Sequence, residues 1–316
     1  MEQSAVIKSK VDISRNLNGY SFPHKLSSQE AEIIIQKVKN IFSDSKYDFT
    51  LHKINELSQS ELDLLEEREL MDDEFLINAN GALLFNSDKT ICILINGLDH
   101  IKIQVIGYND IKGLYKIANE IDDTLESHLE YAFDKDLGYL TTCPVNVGTG
   151  LKVTNTVHIP SIEKLKQVDD YYKIAHKIGV NFKGVYGKTK SILGSLYKIS
   201  NTIMIGRSEE NIIQSVESIS NDLSKREYES REILKNVHKI DLEDEIFRSL
   251  AILSSARVIT NSELMKCLSN VKLGIEMGYI DDVNLEKVIN FMTGKQPYLK
   301  IISAYDEENK IERATY

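Results

Sequence analysis

Between residues 81 and 107 the chain carries three short apolar runs with strand-like patterns, and these runs limit the fold more than any other feature. The segment GALLFNSDKTICILING holds two of them, joined by turn residues at 86–88, and predicts a β-hairpin. The segment HIKIQVIG follows and alternates apolar with polar residues, which is typical of a strand with one buried face. The chain therefore contains a sheet near its centre.

Helical patterns surround these strands. SSQEAEIIIQKVKNIF predicts an amphipathic helix with Ser27 or Ser28 as its N-cap, and NDIKGLYKIANEIDDTLES has helical spacing. The β-branched run LKVTNTVHIP ends at Pro160, and Ser161 is the predicted N-cap of a helix over IEKLKQVDDYYKIAHKI. FKGVYG and YKISNTIMIG predict two more strands, and a long helix follows them.

Beyond about residue 236 only helical patterns remain. Thr260 and Glu263 predict a capping box, and NLEKVINFM predicts a further short helix. We therefore predict an α+β fold, with an α+β domain over residues 1–235 and a helical domain over 236–316.

Composition excludes several classes of protein. The 38 basic residues are outnumbered by 48 acidic ones, so the net charge of -10 argues against direct binding of nucleic acid. No apolar run approaches the ~20 residues of a membrane span, and the N-terminus lacks the apolar core of a signal peptide, so we expect a cytoplasmic protein. The three cysteines form no metal-like pair, and no metal site is predicted.

The segment LGYLTTCPVNVGTG, residues 137–150, contains unusual backbone chemistry. Pro144 fixes the chain beside Cys143, while Gly148 and Gly150 permit positive φ and a close approach of main chain. From these residues alone, two interpretations stay open: an element that sets the path of the chain, or a ligand site that presents a thiol.

This segment resembles the cysteine motif of the ATP:guanidino phosphotransferases, most nearly that of the bacterial protein arginine kinases. Five further blocks in the same order extend the resemblance over almost the whole chain: VIKSKVDISRNL, INGLDHIKIQ, FKGVYGKTKSILGSLYKISN, IGRSEENII and FRSLAILSSARVIT. The resemblance implies a phosphagen-kinase-like domain, built on an antiparallel sheet flanked by helices, with a C-terminal helical domain. It also implies ATP with Mg as cofactor and arginine side chains of proteins as acceptors.

The resemblance assigns site residues by position. Cys143 and Asp99 are the candidates for catalysis. The positions that contact ATP in the family are occupied here by Lys10, Asp12, Lys102, Lys152, Val153, Thr154, Asn155, Thr156, Lys183, Gly184, Val185, Tyr186, Gly187 and Lys188. The family's adenine-contacting histidine corresponds to Glu69 by spacing.

Several of these positions depart from the family pattern. Lysine in place of arginine keeps the positive charge and loses the bidentate geometry. Only eight of the 38 basic residues are arginine, so lysine is preferred over arginine throughout this sequence. Asp12 differs in kind, because a carboxylate repels phosphate. Gly97, Leu98 and Lys188 stand where the family has glutamates, and a guanidinium needs a carboxylate to remove its proton before it attacks phosphorus.

These departures favour a catalytically impaired homologue that acts as a regulator or partner in bacterial stress response and proteolysis. The alternative is an active, divergent kinase that transfers the ATP γ-phosphate to arginine side chains with lysines in place of arginines. The expected partner is a protein: a substrate, a kinase paralogue, a repressor or a Clp-type protease component. A homodimer is a further arrangement that the resemblance allows.

The C-terminal segment NKIERATY is similar to the RDxxRA segment with which protein arginine kinases bind phosphoarginine, although only Arg313 and Ala314 match. A plain tail and a regulatory pocket both remain open for it.

Overall fold

The computed structural model of the chain describes residues 4–43, 45–67, 69–71, 80–185 and 192–294. Its strands are β1 (Val6–Arg15), β2 (Thr50–Lys53), β3 (Ala82–Phe85), β4 (Ile91–Ile95), β5 (Ile101–Gly107), β6 (Phe133–Asp134), β7 (Gly138–Tyr139), β8 (Leu151–His158), β9 (Val180–Gly184) and β10 (Leu196–Asn201). Its α-helices are α1 (Ser28–Ile41), α2 (Gln59–Glu67), α3 (Ile111–Glu126), α4 (Pro160–Lys164), α5 (Val168–Lys177), α6 (Glu209–Val237), α7 (Lys239–Ser255), α8 (Asn261–Glu276) and α9 (Leu285–Met292).

Eight strands form one sheet in the order β2-β3-β4-β5-β1-β8-β10-β9, while β6 and β7 pair separately. The pairs β2/β3, β3/β4, β4/β5 and β5/β1 are antiparallel. The predicted hairpin at 81–97 is confirmed as β3 and β4, and HIKIQVIG is confirmed as β5. The fold is therefore α+β, an antiparallel sheet flanked by helices with a C-terminal helical region, as predicted.

The chain divides into two compact units. One comprises residues 8–155 and 200–217 and is called the cavity unit here; the other comprises residues 1–7, 156–199 and 218–316 and is called the helical unit. Strands β1, β8 and β10 contribute residues to both units. The predicted domains, residues 1–235 and 236–316, are continuous stretches of sequence, whereas these units each combine separate stretches. The domain boundary at 235/236 therefore stays a prediction.

Helix α1 begins where its sequence indicates. Ser27 accepts a hydrogen bond from the backbone N–H of Glu30, and the Glu30 carboxylate accepts one from the backbone N–H of Ser27, which completes a capping box. Of the two candidate N-caps, Ser27 is the one used.

The helix predicted to begin at Ser161 is different in the structure. It is broken into α4 and α5, with Lys166 at φ 58° between them, and the N-cap of α4 is Ile159 rather than Ser161. The carboxylate of Glu227, on α6, accepts hydrogen bonds from the backbone N–H groups of Ser161 and Ile162 at 3.0–3.1 Å. A side chain 66 residues away therefore replaces the local cap.

The helical unit has its own apolar core, formed mainly by α7, α8 and α9. Thr260 caps α8 by accepting from the N–H of Glu263, which confirms the predicted N-cap and one of the two hydrogen bonds of the predicted capping box. Beside this core lies a buried charged cluster, called the ionic cluster here and formed by Glu227, Arg231, Lys272 and Glu276. Among the described helices, none has the length and apolar character needed to cross a bilayer.

Candidate functional site

A cavity of about 220 Å³ opens in the cavity unit beside the cysteine motif. It brings together five residues that the sequence predicts as site residues, and two of the three positions where glutamates are replaced: Asp12, Asp99, Lys102, Cys143 and Lys152, with Gly97 and Leu98. Residues separated by up to 140 positions along the chain therefore meet at one place.

Strand register places the polar residues of this cavity on one face of the sheet. In β1 and β5, Asp12 is paired with Gln104 and Ser14 with Lys102. In β4 and β5, Leu94 is paired with Lys102. Because paired residues on neighbouring strands point to the same face, the cavity has a floor built from three strands.

Asp12 is a buried carboxylate in the wall of this cavity, only 5% exposed. Its Oδ1 atom accepts no hydrogen bond from the described residues, and the Lys10 ammonium lies 3.4 Å from it. The Lys10 Nζ donates its short hydrogen bond elsewhere, to the carbonyl oxygen of Glu69 at 2.8 Å. Lys10 therefore partly compensates the charge of Asp12 and does not line the cavity.

Asp99 lines the same cavity and is equally buried, but its Oδ1 atom is fully engaged. It accepts from the Asn16 side-chain amide and from the backbone N–H of Thr142, both at 2.7 Å. Asp99 therefore links the residue that follows β1 to the segment before Cys143, which is a positioning contact within the protein.

His100 follows Asp99 and is fully buried. Its Nδ1 atom accepts from the backbone N–H of Leu17 at 3.2 Å, and its Nε2 atom donates to the carbonyl oxygen of Ser21 at 3.0 Å. Burial lowers the pKa of the imidazole, so the neutral form is favoured. His100 therefore orients the backbone after β1.

The glycines of the cysteine motif are required by protein packing. Gly148 has φ 121°, and a Cβ there would lie 2.8 Å from the Cα of Ile205; Gly150 has φ 64°, and a Cβ there would lie 2.5 Å from the carbonyl oxygen of Ser14. Pro144 begins a short 3₁₀ turn directly after Cys143. The backbone chemistry of LGYLTTCPVNVGTG thus sets the chain path, while the Cys143 side chain contributes to the cavity wall.

Other residues assigned by position serve the sheet. Asn155 accepts from the Ser9 hydroxyl at 2.6 Å, and the backbone N–H of Val153 donates to the Asn201 side chain at 2.7 Å. Val153, Asn155 and Thr156 are buried, and Thr154 is half-buried. None of these four lines the cavity.

The remaining assigned residues belong elsewhere. Lys183, Gly184 and Val185 lie at the end of β9 and belong to the helical unit, with Lys183 exposed. Tyr186, Gly187 and Lys188 lie outside the described residues, as does the C-terminal segment 309–316.

Ser14 and Val145 line the cavity although the sequence does not single them out. For Ser14 a signal exists, because it stands two residues after Asp12 in a strand and so shares its face. Val145 lies on the turn after Cys143, and its place in the wall depends on the three-dimensional path of that turn.

The three thiols differ in accessibility, which gives a direct check of the site. Burial raises the pKa of the Cys92 thiol to about 12, and it also raises that of buried Cys267. At pH 8 we expect a chromogenic disulfide reagent to modify one thiol in the folded protein, half-buried Cys143, and all three thiols in urea. Loss of the fast-reacting thiol in Cys143→Ser is the control, and rapid reaction of two or more thiols in the folded state contradicts the assignment.

The chain is similar to known proteins over most of its length. Residues 31–230 match the family model described as ATP:guanido phosphotransferase, C-terminal catalytic domain, and residues 239–312 match that of the Protein-arginine kinase McsB C-terminal domain. Protein-arginine kinase from Clostridium novyi (strain NT) is 38% identical, covering 99% of this chain and 93% of the relative. The enzyme of the same name from Bacillus subtilis (strain 168) is 32% identical, covering 94% and 83%.

Solved structures share the fold at lower sequence identity. A lombricine kinase matches with a TM-score of 0.61 and 20% identity, over 71% of this chain and 66% of that one. A duplicated taurocyamine kinase from Schistosoma mansoni matches with a TM-score of 0.65 and 19% identity, over 88% and 47%. The family match, the curated relatives and the shared fold agree, and the chain therefore belongs to the ATP:guanido phosphotransferase family, among relatives named protein-arginine kinase.

Proposed function

We propose that this protein is a protein-arginine-kinase homologue with impaired phosphoryl transfer that acts by binding other proteins. The observation that carries the proposal is Asp12, a buried carboxylate in the wall of the cavity at a position where the family has a phosphate-binding arginine. An arginine fork grips phosphate oxygens through charge-assisted hydrogen bonds, whereas a carboxylate repels them.

The cavity as a whole fits the phosphates of Mg-ATP poorly. Its two buried ionic groups are the carboxylates Asp12 and Asp99, while Lys102 is half-buried and Lys152 is exposed. Phosphoryl transfer depends mainly on positioning and on positive groups around the transferred phosphoryl. A site with its negative charges deepest opposes both requirements.

The cavity also lacks a suitable base at the positions where the family has one. Gly97 has no side chain and that of Leu98 is apolar, and both line the cavity. The carboxylate that remains at this place, Asp99, already accepts two hydrogen bonds from the protein. At these positions the described residues therefore offer no carboxylate dedicated to removing a proton from a guanidinium.

Exposed apolar side chains on the helical unit support a role in protein binding. Ile233 and Val237 on α6 and Ile240 and Phe247 on α7 are exposed, Ile240 to 82%. By contrast, Leu250, Leu253, Leu264 and Leu268 pack on the core of this unit. As part of the proposal, a regulatory partner in stress response or proteolysis, or a second copy of the chain, covers the exposed set.

The second candidate is an active, divergent arginine kinase. It is favoured by the retention of Cys143, Asp99, Lys102 and Lys152 around one cavity, because lysine preserves the charge of arginine. This candidate requires Mg-ATP to bind despite Asp12, so nucleotide affinity separates the two.

Titration calorimetry with Mg-ATP tests the proposal. We expect the wild type to bind with a dissociation constant in the millimolar range or weaker, and Asp12→Arg to bind at least ~10-fold more tightly, since a hydrogen bond to a charged group contributes about 1.5–3 kcal/mol. Asp136→Arg is the matched control, because it makes the same charge change at an exposed carboxylate outside the cavity. Micromolar binding by the wild type, or an equal gain in both variants, contradicts the proposal.

A further inference from the structure

Strand β1 presents a row of polar side chains on one face of the sheet. Lys8, Lys10, Asp12 and Ser14 alternate with residues of the opposite face, and Asp12 and Ser14 line the cavity. The two lysines continue the row outside the cavity and are only 5% and 7% exposed. Because a buried ammonium group is costly unless it is paired, both lysines require partners within the protein.

Glu69 supplies a partner to both lysines. Its carboxylate atom Oε2 lies 3.5 Å from the Lys8 Nζ, and its backbone carbonyl oxygen accepts from the Lys10 Nζ at 2.8 Å. The Asp12 Oδ1 atom lies 3.4 Å from the same Lys10 Nζ. These four side chains therefore balance two positive charges with two negative ones, and loss of the Glu69 carboxylate leaves an excess of positive charge.

Glu69 occupies a backbone position that favours glycine. At the end of α2 the N–H of Leu70 donates to the carbonyl oxygen of Leu65 at 2.9 Å, and Glu69 has φ 59°. This is the geometry of a Schellman motif, whose left-handed residue is usually glycine. The Cβ of glutamate is disfavoured there, so the local backbone does not account for this residue. Such a conflict with local preference indicates a tertiary or functional role.

The turn that carries Glu69 packs on the sheet. Leu65, Leu70 and Met71 are buried in one apolar cluster with residues of β3, β4 and β5, among them Ile106. Ile106 is paired with Lys10 across β5 and β1, and paired residues share a face. Helix α2 and residues 69–71 therefore cover the face of the sheet that presents Lys10, and together they are called the clasp here.

We infer that the clasp is an autoinhibitory contact: Glu69 neutralises and buries Lys8 and Lys10, and a polyphosphate anion must displace it to reach them. The inference rests on the proposed function for its ligand class, since Lys10 stands at a position where the resemblance implies ATP phosphates. Its cause is separate, because Asp12 opposes phosphate within the cavity whereas Glu69 holds cations outside it. The resemblance does not supply this contact, because it has a histidine at the position of Glu69.

Titration calorimetry with inorganic tripolyphosphate on the full chain tests the inference. Glu69→Gln keeps the size of the side chain and removes its charge, and we expect it to bind tripolyphosphate at least ~5-fold more tightly than the wild type. Glu56→Gln is the matched control, an exposed carboxylate of the same unit outside the cavity, and is expected to bind like the wild type. Equal affinity of Glu69→Gln and wild type, an equal gain in both variants, or no detectable binding by any of them overturns the inference.

Hydrogen exchange on the wild type provides a second test that needs no variant. Competition is reciprocal, so an anion that binds the lysines also opens the clasp. We expect the Leu70 amide, which is bonded to Leu65, to exchange faster in tripolyphosphate than in sodium chloride of equal ionic strength. Equal exchange in the two salts overturns the inference. Circular dichroism establishes whether Glu69→Gln is folded, and if it is not, the exchange experiment decides.

These results are separable from the proposed function, which is tested by Mg-ATP affinity and by Asp12→Arg. Micromolar binding of Mg-ATP by the wild type refutes the proposed function, and the comparison of Glu69→Gln with Glu56→Gln still decides the inference. Absence of a gain in Glu69→Gln refutes the inference, while the effect of Asp12→Arg still decides the proposed function.

Discussion

Wild-type protein incubated with Mg-ATP and an arginine-rich acceptor protein is expected to form phosphoarginine at least ~10³-fold more slowly than the Bacillus subtilis relative assayed beside it. A positioned general base contributes about 10²–10⁴-fold, and a transition-state arginine about 10³–10⁵-fold, to reactions of this kind. By the family resemblance, Gly97 and Leu98 occupy the positions of a base and Asp12 that of a phosphate-binding arginine, and all three line the cavity. Quantitative mass spectrometry of the acceptor under non-acidic conditions provides the measurement.

The converse experiment restores the family pattern. We expect activity to appear only after the replacements are combined, because groups that act together are not additive. The repaired variant carries Lys10→Arg, Asp12→Arg, Gly97→Glu, Leu98→Glu, Lys102→Arg, Lys152→Arg, Lys183→Arg and Lys188→Glu. Phosphoarginine formed by the wild type at a rate near that of the relative, and lost in Cys143→Ser, establishes the active kinase instead.

The largest effect on stability is expected at Arg231, in the ionic cluster of the helical unit. Its Nε atom donates to Glu227 at 3.1 Å and its Nη2 atom to Glu276 at 2.9 Å, and both Arg231 and Glu227 are almost fully buried. Arg231→Met keeps the apolar stem and leaves two carboxylates without this partner. We expect the free energy of unfolding in urea to fall by about 3–5 kcal/mol, the cost of removing one member of a buried ion pair.

Arg248→Met is the matched control, because Arg248 forms an exposed pair with Asp244 four residues earlier on α7. Such surface pairs contribute only about 0–1 kcal/mol, so little change is expected. If the free energy of unfolding falls by a similar amount in both variants, the ionic cluster is not a principal determinant of the stability of the helical unit.

Local features of the fold could be predicted because they depend on neighbours in sequence. The capping box at Ser27 and Glu30 requires residues three apart, and the hairpin of β3 and β4 requires two apolar runs and a turn. The cap of α4 could not be predicted in this way. Its acceptor, Glu227, lies 66 residues away, and only the packing of α6 brings its carboxylate to Ser161.

The same distinction applies to the candidate site: the identity of its residues could be predicted, and their surroundings could not. The resemblance assigned Asp12, Asp99, Lys102, Cys143 and Lys152 to the site by position, and the structure places all five around one cavity. Their individual surroundings depend on contacts that no motif encodes. Asp99 is occupied by Asn16 and Thr142, whereas Asp12 keeps an acceptor atom free of hydrogen bonds from the described residues.

The sequence by itself determined the family, the α+β class and the identity of the groups at the site, because periodicity, caps and motif blocks are local and survive without coordinates. Only the tertiary structure decided what those groups face. Lys10 and Asp12 are two residues apart on one strand, yet Lys10 donates to the backbone of Glu69 while Asp12 lines the cavity. Burial and hydrogen-bond partners are set by segments distant in the chain, and they decide whether a charge binds a ligand or holds the protein together.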